Sequence, residues 1–261
     1  MVDVITWPSL NSARLGNQLF GIAATLAHAE ARLDSVRFPP WPRASSFSLP
    51  DAAFGELPKP SYSYSQPDLT HYPLPPRADP DMPAPVVALH GNFISWRFFA
   101  GHEAAVRRAF AHPTPLPRRP EVAIHVRRTD YIGGPYCDLG LSYYEAQMVQ
   151  FHGASFLVFS DDIPYCERLF AHRRDVSFAR GSDVADLHVM STCAGHIIAN
   201  STFSWWGAWL ADNDPDTVIA PRQYHTDAFR SRTPHVQKWE DEDLWPPGWR
   251  LADVPLAQRR G

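Results

Sequence analysis

The stretch Val122-Ala123-Ile124-His125-Val126-Arg127-Arg128-Thr129-Asp130-Tyr131 decides the fold. Its first five residues are mostly β-branched or small and apolar, which predicts a strand buried on both faces, the kind found inside a parallel sheet. The strand runs directly into two guanidinium groups and a carboxylate. In open α/β sheets ligands bind beyond the carboxyl ends of the strands, so this polar end is a candidate site. An arginine fork donates two parallel hydrogen bonds and never loses its charge, which suits a diphosphate. A surface ion pair between an arginine and Asp130 is the competing account, and for a lone pair of arginines it is the stronger one.

Working outward, short apolar runs alternate with helical patterns. Toward the N-terminus the periodicity predicts strands over 2–7 and 86–90 and helices over 17–32 and 98–110. Toward the C-terminus it predicts strands over 156–159, 196–199 and 217–220, with helices over 143–151, 163–171, 184–193 and 203–211. This order is α/β, with a parallel sheet. The prolines of 113–120 mark the boundary between an N-terminal domain, 1–118, and a C-terminal Rossmann-like domain, 119–224. Thirteen of the 26 prolines fall in 39–85, a stretch expected to be a wrapping loop or a partly ordered insertion. The tail, 225–261, is expected to be irregular and to pack across both halves.

Composition narrows the classes of function. A net charge of −4, from 24 basic and 28 acidic residues, supplies no general field for nucleic acid or an anionic membrane. No apolar run reaches the roughly 18 residues of a membrane span, and no signal-peptide pattern opens the chain. Cys137, Cys166 and Cys193 are widely spaced and lack a metal-ligand pattern, so the expectation is buried thiols and a cytoplasmic location.

Three further segments carry polar groups at the ends of apolar runs. Phe156-Leu157-Val158-Phe159-Ser160-Asp161-Asp162 ends in two aspartates. They could hold a divalent cation, or one could accept hydrogen bonds from a guanine while the other caps a helix, or capping could be their only role. In His196-Ile197-Ile198-Ala199-Asn200-Ser201-Thr202-Phe203, Ser201 and Thr202 open a helix whose N–H groups suit phosphate oxygens. An ordinary cap competes with that reading, and Trp205, Trp206 and Trp209 read as core. In Arg14-Leu15-Gly16-Asn17-Gln18, Asn17 is placed to bond a ligand or to act as an N-cap.

Together these segments resemble the α-1,2-fucosyltransferases, the inverting glycosyltransferase family 11. The resemblance rests on 13–22, 125–131, 159–162 and 186–210, with softer agreement at 89–99 and 139–146. It implies a glycosyltransferase type B arrangement, two Rossmann-like halves facing a cleft. It also implies transfer of L-fucose from GDP-β-L-fucose to O2 of a galactose in a glycan acceptor, with inversion to an α-1,2 linkage. Arg127 would bind the β-phosphate, and His125 and Asp162 would face the guanosine. Asn17, Ser201 and Thr202 would complete the diphosphate and fucose contacts, with Phe203 near the base. No metal or other cofactor is expected, because Arg127 and a helix N-terminus can stabilise the leaving diphosphate. Asp130 is the carboxylate nearest the phosphate site in sequence and the candidate base, unless it orients an arginine instead. The chain departs from the family pattern at Gly21-Ile22, at Thr129 in place of a common glycine, and at Asn92 and Ile94. The alternatives are a transferase for another GDP-6-deoxyhexose and a catalytically inactive glycan- or nucleotide-binding relative.

Overall fold

A computed structural model describes residues 4–72 and 86–259. The chain divides into two compact units, Met1–Pro115 and Leu116–Gly261. Each is built on its own parallel sheet, and among the described residues no helix is long and apolar enough to cross a membrane.

The first unit holds β1 (Val4–Thr6), α1 (Leu15–Arg32), β2 (Ser35–Val36), β3 (Tyr62–Ser65), β4 (Val86–His90) and α2 (Glu103–Phe110). Its strands lie in the order β2-β1-β4-β3, all parallel. The strand predicted over 2–7 is shorter, and residues 2 and 3 lie outside the described residues. The helix predicted over 98–110 is two pieces, a 3-10 turn at Trp96–Phe99 and then α2. Between them Gly101 takes φ +84°, a conformation that no continuous helix contains. The proline-rich stretch is not a loose loop where it is described: Trp41, Phe47, Leu49 and Ala53 are buried, and Tyr62–Ser65 pairs with β4. Residues 73–85 of that stretch lie outside the described residues.

The second unit runs β5 (Arg119–Val126), α3 (Leu141–Met148), β6 (Phe156–Ser160), α4 (Ile163–Leu169) and β7 (Val176–Phe178). It continues through α5 (Asp183–Met190), β8 (Cys193–Ile197), α6 (Thr202–Leu210) and β9 (Val218–Pro221). The tail expected to be irregular forms α7 (Asp227–Arg232), α8 (Pro234–Glu242) and β10 (Arg250–Ala252), and β10 pairs with β9. The helix predicted over 184–193 stops at Met190, and Cys193 already begins β8. Spatial order is β10-β9-β8-β5-β6-β7, every pair parallel. In this doubly wound order the chain reverses its direction of travel between β5 and β8, and ligands bind in the crevice that opens there.

The alternation of β5 assigns its side chains to two layers. Val122, Ile124 and Val126 pack with Tyr143, Tyr144 and Met148 of α3 and Cys166 of α4, whereas Ala123 packs with Met190 and Cys193 on the other face. Cys137, Cys166 and Cys193 are buried free thiols. In the first unit, Gly21 explains one departure from the family pattern. A Cβ on Gly21 would lie 2.4 Å from the Trp7 ring, which is buried and donates from Nε1 to Gly91 O at 3.2 Å. Trp7 therefore fills the space that a longer side chain at position 21 would need.

Ala is normally favoured over Gly inside a helix by about 1 kcal/mol. At Gly21 the clash reverses the sign: Gly21→Ala should destabilise the protein by about 1–3 kcal/mol, the cost of overpacking. In a Trp7→Ala background the same substitution should cost less. Urea unfolding of the single and double variants checks this, and equal costs in both backgrounds would contradict it.

Candidate functional site

Parallel register brings the three polar segments of the second unit to one edge. Val126 pairs with Ser160 across β5–β6, and Ile124 pairs with Ile197 across β5–β8, so 127–131, 161–162 and 198–202 all leave the sheet together. Arg127 Nη2 bonds Asp130 Oδ1 at 2.5 Å, Arg127 Nη1 lies 3.2 Å from Asp161 Oδ2, and the guanidinium stands 5.4 Å from the Tyr131 ring centre. Asp130 is thus the counter-ion of Arg127, one of the two roles weighed from the sequence. Arg127 Nε is buried and has no hydrogen-bond partner among the described residues.

Arg128 points to the other layer, as strand alternation requires. It stacks on Tyr165 of α4 at 3.7 Å and donates to Asp138 at 3.1 Å. Its acid is therefore Asp138 and not Asp130. Asp161 Oδ1 accepts from Arg128 N–H at 2.9 Å, and Asp161 Oδ2 accepts from the Thr129 hydroxyl at 2.5 Å. Asp162 is the N-cap of α4, accepting from Tyr165 N–H at 3.0 Å. Of the readings open for this aspartate pair, capping describes Asp162, while Asp161 ties down the neighbouring loop. Asp161 accepts from protein donors with both oxygens and Asp162 with Oδ1, and among the described residues no group of three His, Cys, Asp or Glu side chains converges as a cation site.

His125 is buried, with Nδ1 2.9 Å from Ser204 Oγ and its ring centre 5.3 Å from that of Phe203. Burial lowers its pKa to about 4, against a smaller opposing pull from Asp161, so the ring is neutral at pH 7. Ser201 caps α6 by accepting from Phe203 N–H at 3.4 Å, and Thr202 is the first helical residue. Trp205 and Trp206 are fully buried core, and Trp209 is nearly so. The site thus gathers His125, Arg127, Asp130, Asp162, Ser201, Thr202 and Phe203 at one end of one sheet. Asn17 belongs to the first unit, where it is the third residue of α1; Arg14 holds the N-cap position.

Some supporting residues escaped the sequence reading. Asn200, 1% exposed, donates from Nδ2 to Cys137 O at 3.0 Å and Tyr224 O at 2.7 Å, while its carbonyl accepts from Tyr131 OH at 2.7 Å. Glu240, whose side chain is fully buried, accepts from Tyr224 N–H, His225 Nδ1 and Arg230 Nη1 at 3.0, 2.5 and 3.0 Å. No sequence signal links Glu240 to residues so far back in the chain. Beside this network lies an open hollow of about 350 Å³, lined by Tyr131, Gly133, Gly134, Tyr136, Asp138 and Gly140.

Comparison with known proteins agrees with this arrangement. The model of the family described as Glycosyl transferase family 11 matches residues 115–249. The chain is 35% identical over 133 residues to an α-1,2-colitosyltransferase of Escherichia coli, covering 45% of this chain and 46% of that protein. It is 30% identical over 138 residues to the mouse galactoside 2-α-L-fucosyltransferase Sec1, covering 45% of this chain and 37% of that one. The matched region therefore spans less than half the length of either relative. The structure of fucosyltransferase NodZ from Bradyrhizobium superposes with a TM-score of 0.51 at 12% identity, covering 79% of this chain and 93% of that one, a likeness of fold alone.

Burial also sets how the protein responds to acid. His28, His125 and His196 are all buried, and each has its pKa lowered to about 4, chiefly by loss of hydration. Between about pH 6.5 and 4 the unfolded chain binds protons that the folded chain refuses. Stability should be full above about pH 6.5 and fall as pH drops toward 4, by on the order of 2–3 kcal/mol per imidazole. Urea unfolding at a series of pH values measures it; a flat profile from pH 7 to 4.5 would contradict this account.

Proposed function

The chain belongs to glycosyl transferase family 11, and from that premise we propose that it transfers L-fucose from GDP-β-L-fucose to O2 of a galactose in a glycan acceptor, inverting the donor to an α-1,2 linkage. The observation that carries the proposal is the parallel pairing of β5 with β8 at the switch point of a doubly wound sheet, which sends Arg127 and the first turn of α6 out of the sheet on the same side. A guanidinium and a helix N-terminus together supply the positive field that a departing diphosphate requires, so no metal is needed in this scheme. The two units act as the Rossmann-like halves of a type B arrangement in this reading, with His125, Asp162 and Phe203 on the guanosine, and Asn17, Ser201 and Thr202 on the diphosphate and fucose.

The reaction is a single displacement. The acceptor hydroxyl oxygen forms the bond to fucose C1 while the bond from C1 to the β-phosphate oxygen breaks, and GDP leaves with that electron pair. Asp130 takes the hydroxyl proton, which requires its carboxylate to part from Arg127 as the diphosphate arrives. A second reading, transfer of a related deoxy sugar, is favoured by the likeness to the colitosyltransferase. Colitose is fucose without its 3-hydroxyl, so the two donors differ by one group and by the hydrogen bonds it makes.

Turnover with GDP-fucose, with its 3-deoxy analogue and with a panel of β-galactosides tests both readings, the product linkage being assigned by NMR. The expected result is an α-1,2-fucosyl product formed equally well in excess EDTA. Preference for the 3-deoxy donor would select the second reading, and rescue of EDTA-treated protein by Mg²⁺ or Mn²⁺ would overturn metal independence.

The two arginines should separate in the same assays. Arg127→Ala removes a charge-assisted contact to phosphate and should weaken GDP binding by about 2–5 kcal/mol, with Lys a poor substitute because it lacks the planar fork. Arg128→Ala breaks the stack on Tyr165 and the pair with Asp138, and should lower the melting temperature with less effect on GDP affinity. Tight GDP binding by a folded Arg127→Ala protein would exclude the proposed phosphate site.

A further inference from the structure

We propose that Asp161 is the positioning residue of the anion site, holding Arg127 in place for phosphate without itself touching substrate; this rests on the reading of Arg127 as the phosphate contact. Regular pairing between β5 and β6 ends at Val126 and Ser160, and the next residues of both strands diverge into loops. Asp161 continues the tie with its side chain. One carboxylate engages three consecutive residues: it forms an ion pair with the guanidinium of Arg127 and accepts from the backbone N–H of Arg128 and the hydroxyl of Thr129.

The two acids on Arg127 are not equivalent. Asp161 meets Nη1 and its side chain is 20% exposed, whereas Asp130 meets Nη2 and its side chain is 42% exposed. Nε–H and Nη2–H lie along one edge of the planar guanidinium, and a phosphate oxygen pair fits such an edge bidentately. Nε–H on that edge is buried without a partner among the described residues, and Nη2–H is held by the more exposed acid. An incoming diphosphate satisfies Nε–H and takes the place of Asp130. Asp161, anchored on the opposite nitrogen and on the loop backbone, stays and keeps the edge aimed. Removing its negative charge frees the guanidinium to turn, and removing its acceptors frees the loop.

The test uses the full chain and compares GDP with guanosine, which lacks the phosphates. Asp161→Asn should weaken GDP binding by about 10- to 100-fold, the loss expected for one or two charge-assisted hydrogen bonds. Its guanosine affinity should stay within about twofold of wild type. Thr129→Val, which removes only the hydroxyl donor, should shift GDP in the same direction by a smaller factor and decides the matter if Asp161→Asn fails to fold. Thr129→Ser should restore binding. GDP affinity unchanged in both variants, or parallel loss of GDP and guanosine affinity, would overturn the role of Asp161. A wild-type protein that binds guanosine and GDP equally would instead overturn the reading of Arg127 as the phosphate contact, and the role of Asp161 with it.

Discussion

Everything at the site depends on β5 lying between β6 and β8 with all three strands parallel. Parallel strands end on the same side, so three loops that are distant in sequence emerge side by side. Helices must then cover both faces, and β5 supplies both layers from the five buried residues Val122–Val126. Were β5 at an edge, the loop that carries Arg127 would emerge beside the loop after β6 or the loop after β8, and not both.

The second constraint is charge. Two guanidinium groups at one strand end repel each other unless acids offset their charge, and here Asp130 and Asp161 pair with Arg127 and Asp138 pairs with Arg128. The strand's alternation separates the arginines into different layers, where Arg128 rests on the Tyr165 ring and Arg127 stands between Asp130 and Asp161. Asn200 closes the other side of the site by joining the loop after β5, the turn after β8 and the chain at Tyr224 through three buried hydrogen bonds. Rigid support of this kind is what keeps a binding fork aimed when its ligand is absent.

The strands that carry the site were legible because each is a run of apolar residues with polar groups at its carboxyl end. β4, β5, β6 and β9 all read this way, and β8 does so in part, since the strand lies over Cys193–Ile197 and shares only His196 and Ile197 with the run at 196–199. β3 did not: Tyr62–Ser65 alternates aromatic and hydroxyl side chains within a proline-rich stretch, and only pairing with β4 makes it a strand. β7 and β10 are three residues long, too short for periodicity to speak. The overrun of the fifth helix into Cys193 has a similar cause, since Thr192-Cys193-Ala194 suits either state and the hydrogen bonds of the sheet decide. At the site, the residue types and their positions were readable, but not their partners. Asp161 and Asp162 look alike in sequence, and only the register across β5–β6 directs one to the arginine loop and the other to the start of α4.

The central claim is that the carboxyl ends of β5 and β8 form one diphosphate site. A crystal structure of the protein with GDP tests it most directly. The account predicts a β-phosphate on the Nε and Nη2 edge of Arg127, the first turn of α6 within hydrogen-bond reach of the same phosphates, Asp130 displaced, and Asp161 still bonded to Arg128 N–H. GDP bound with its phosphates away from Arg127, or with Asp130 still on the guanidinium, would contradict it.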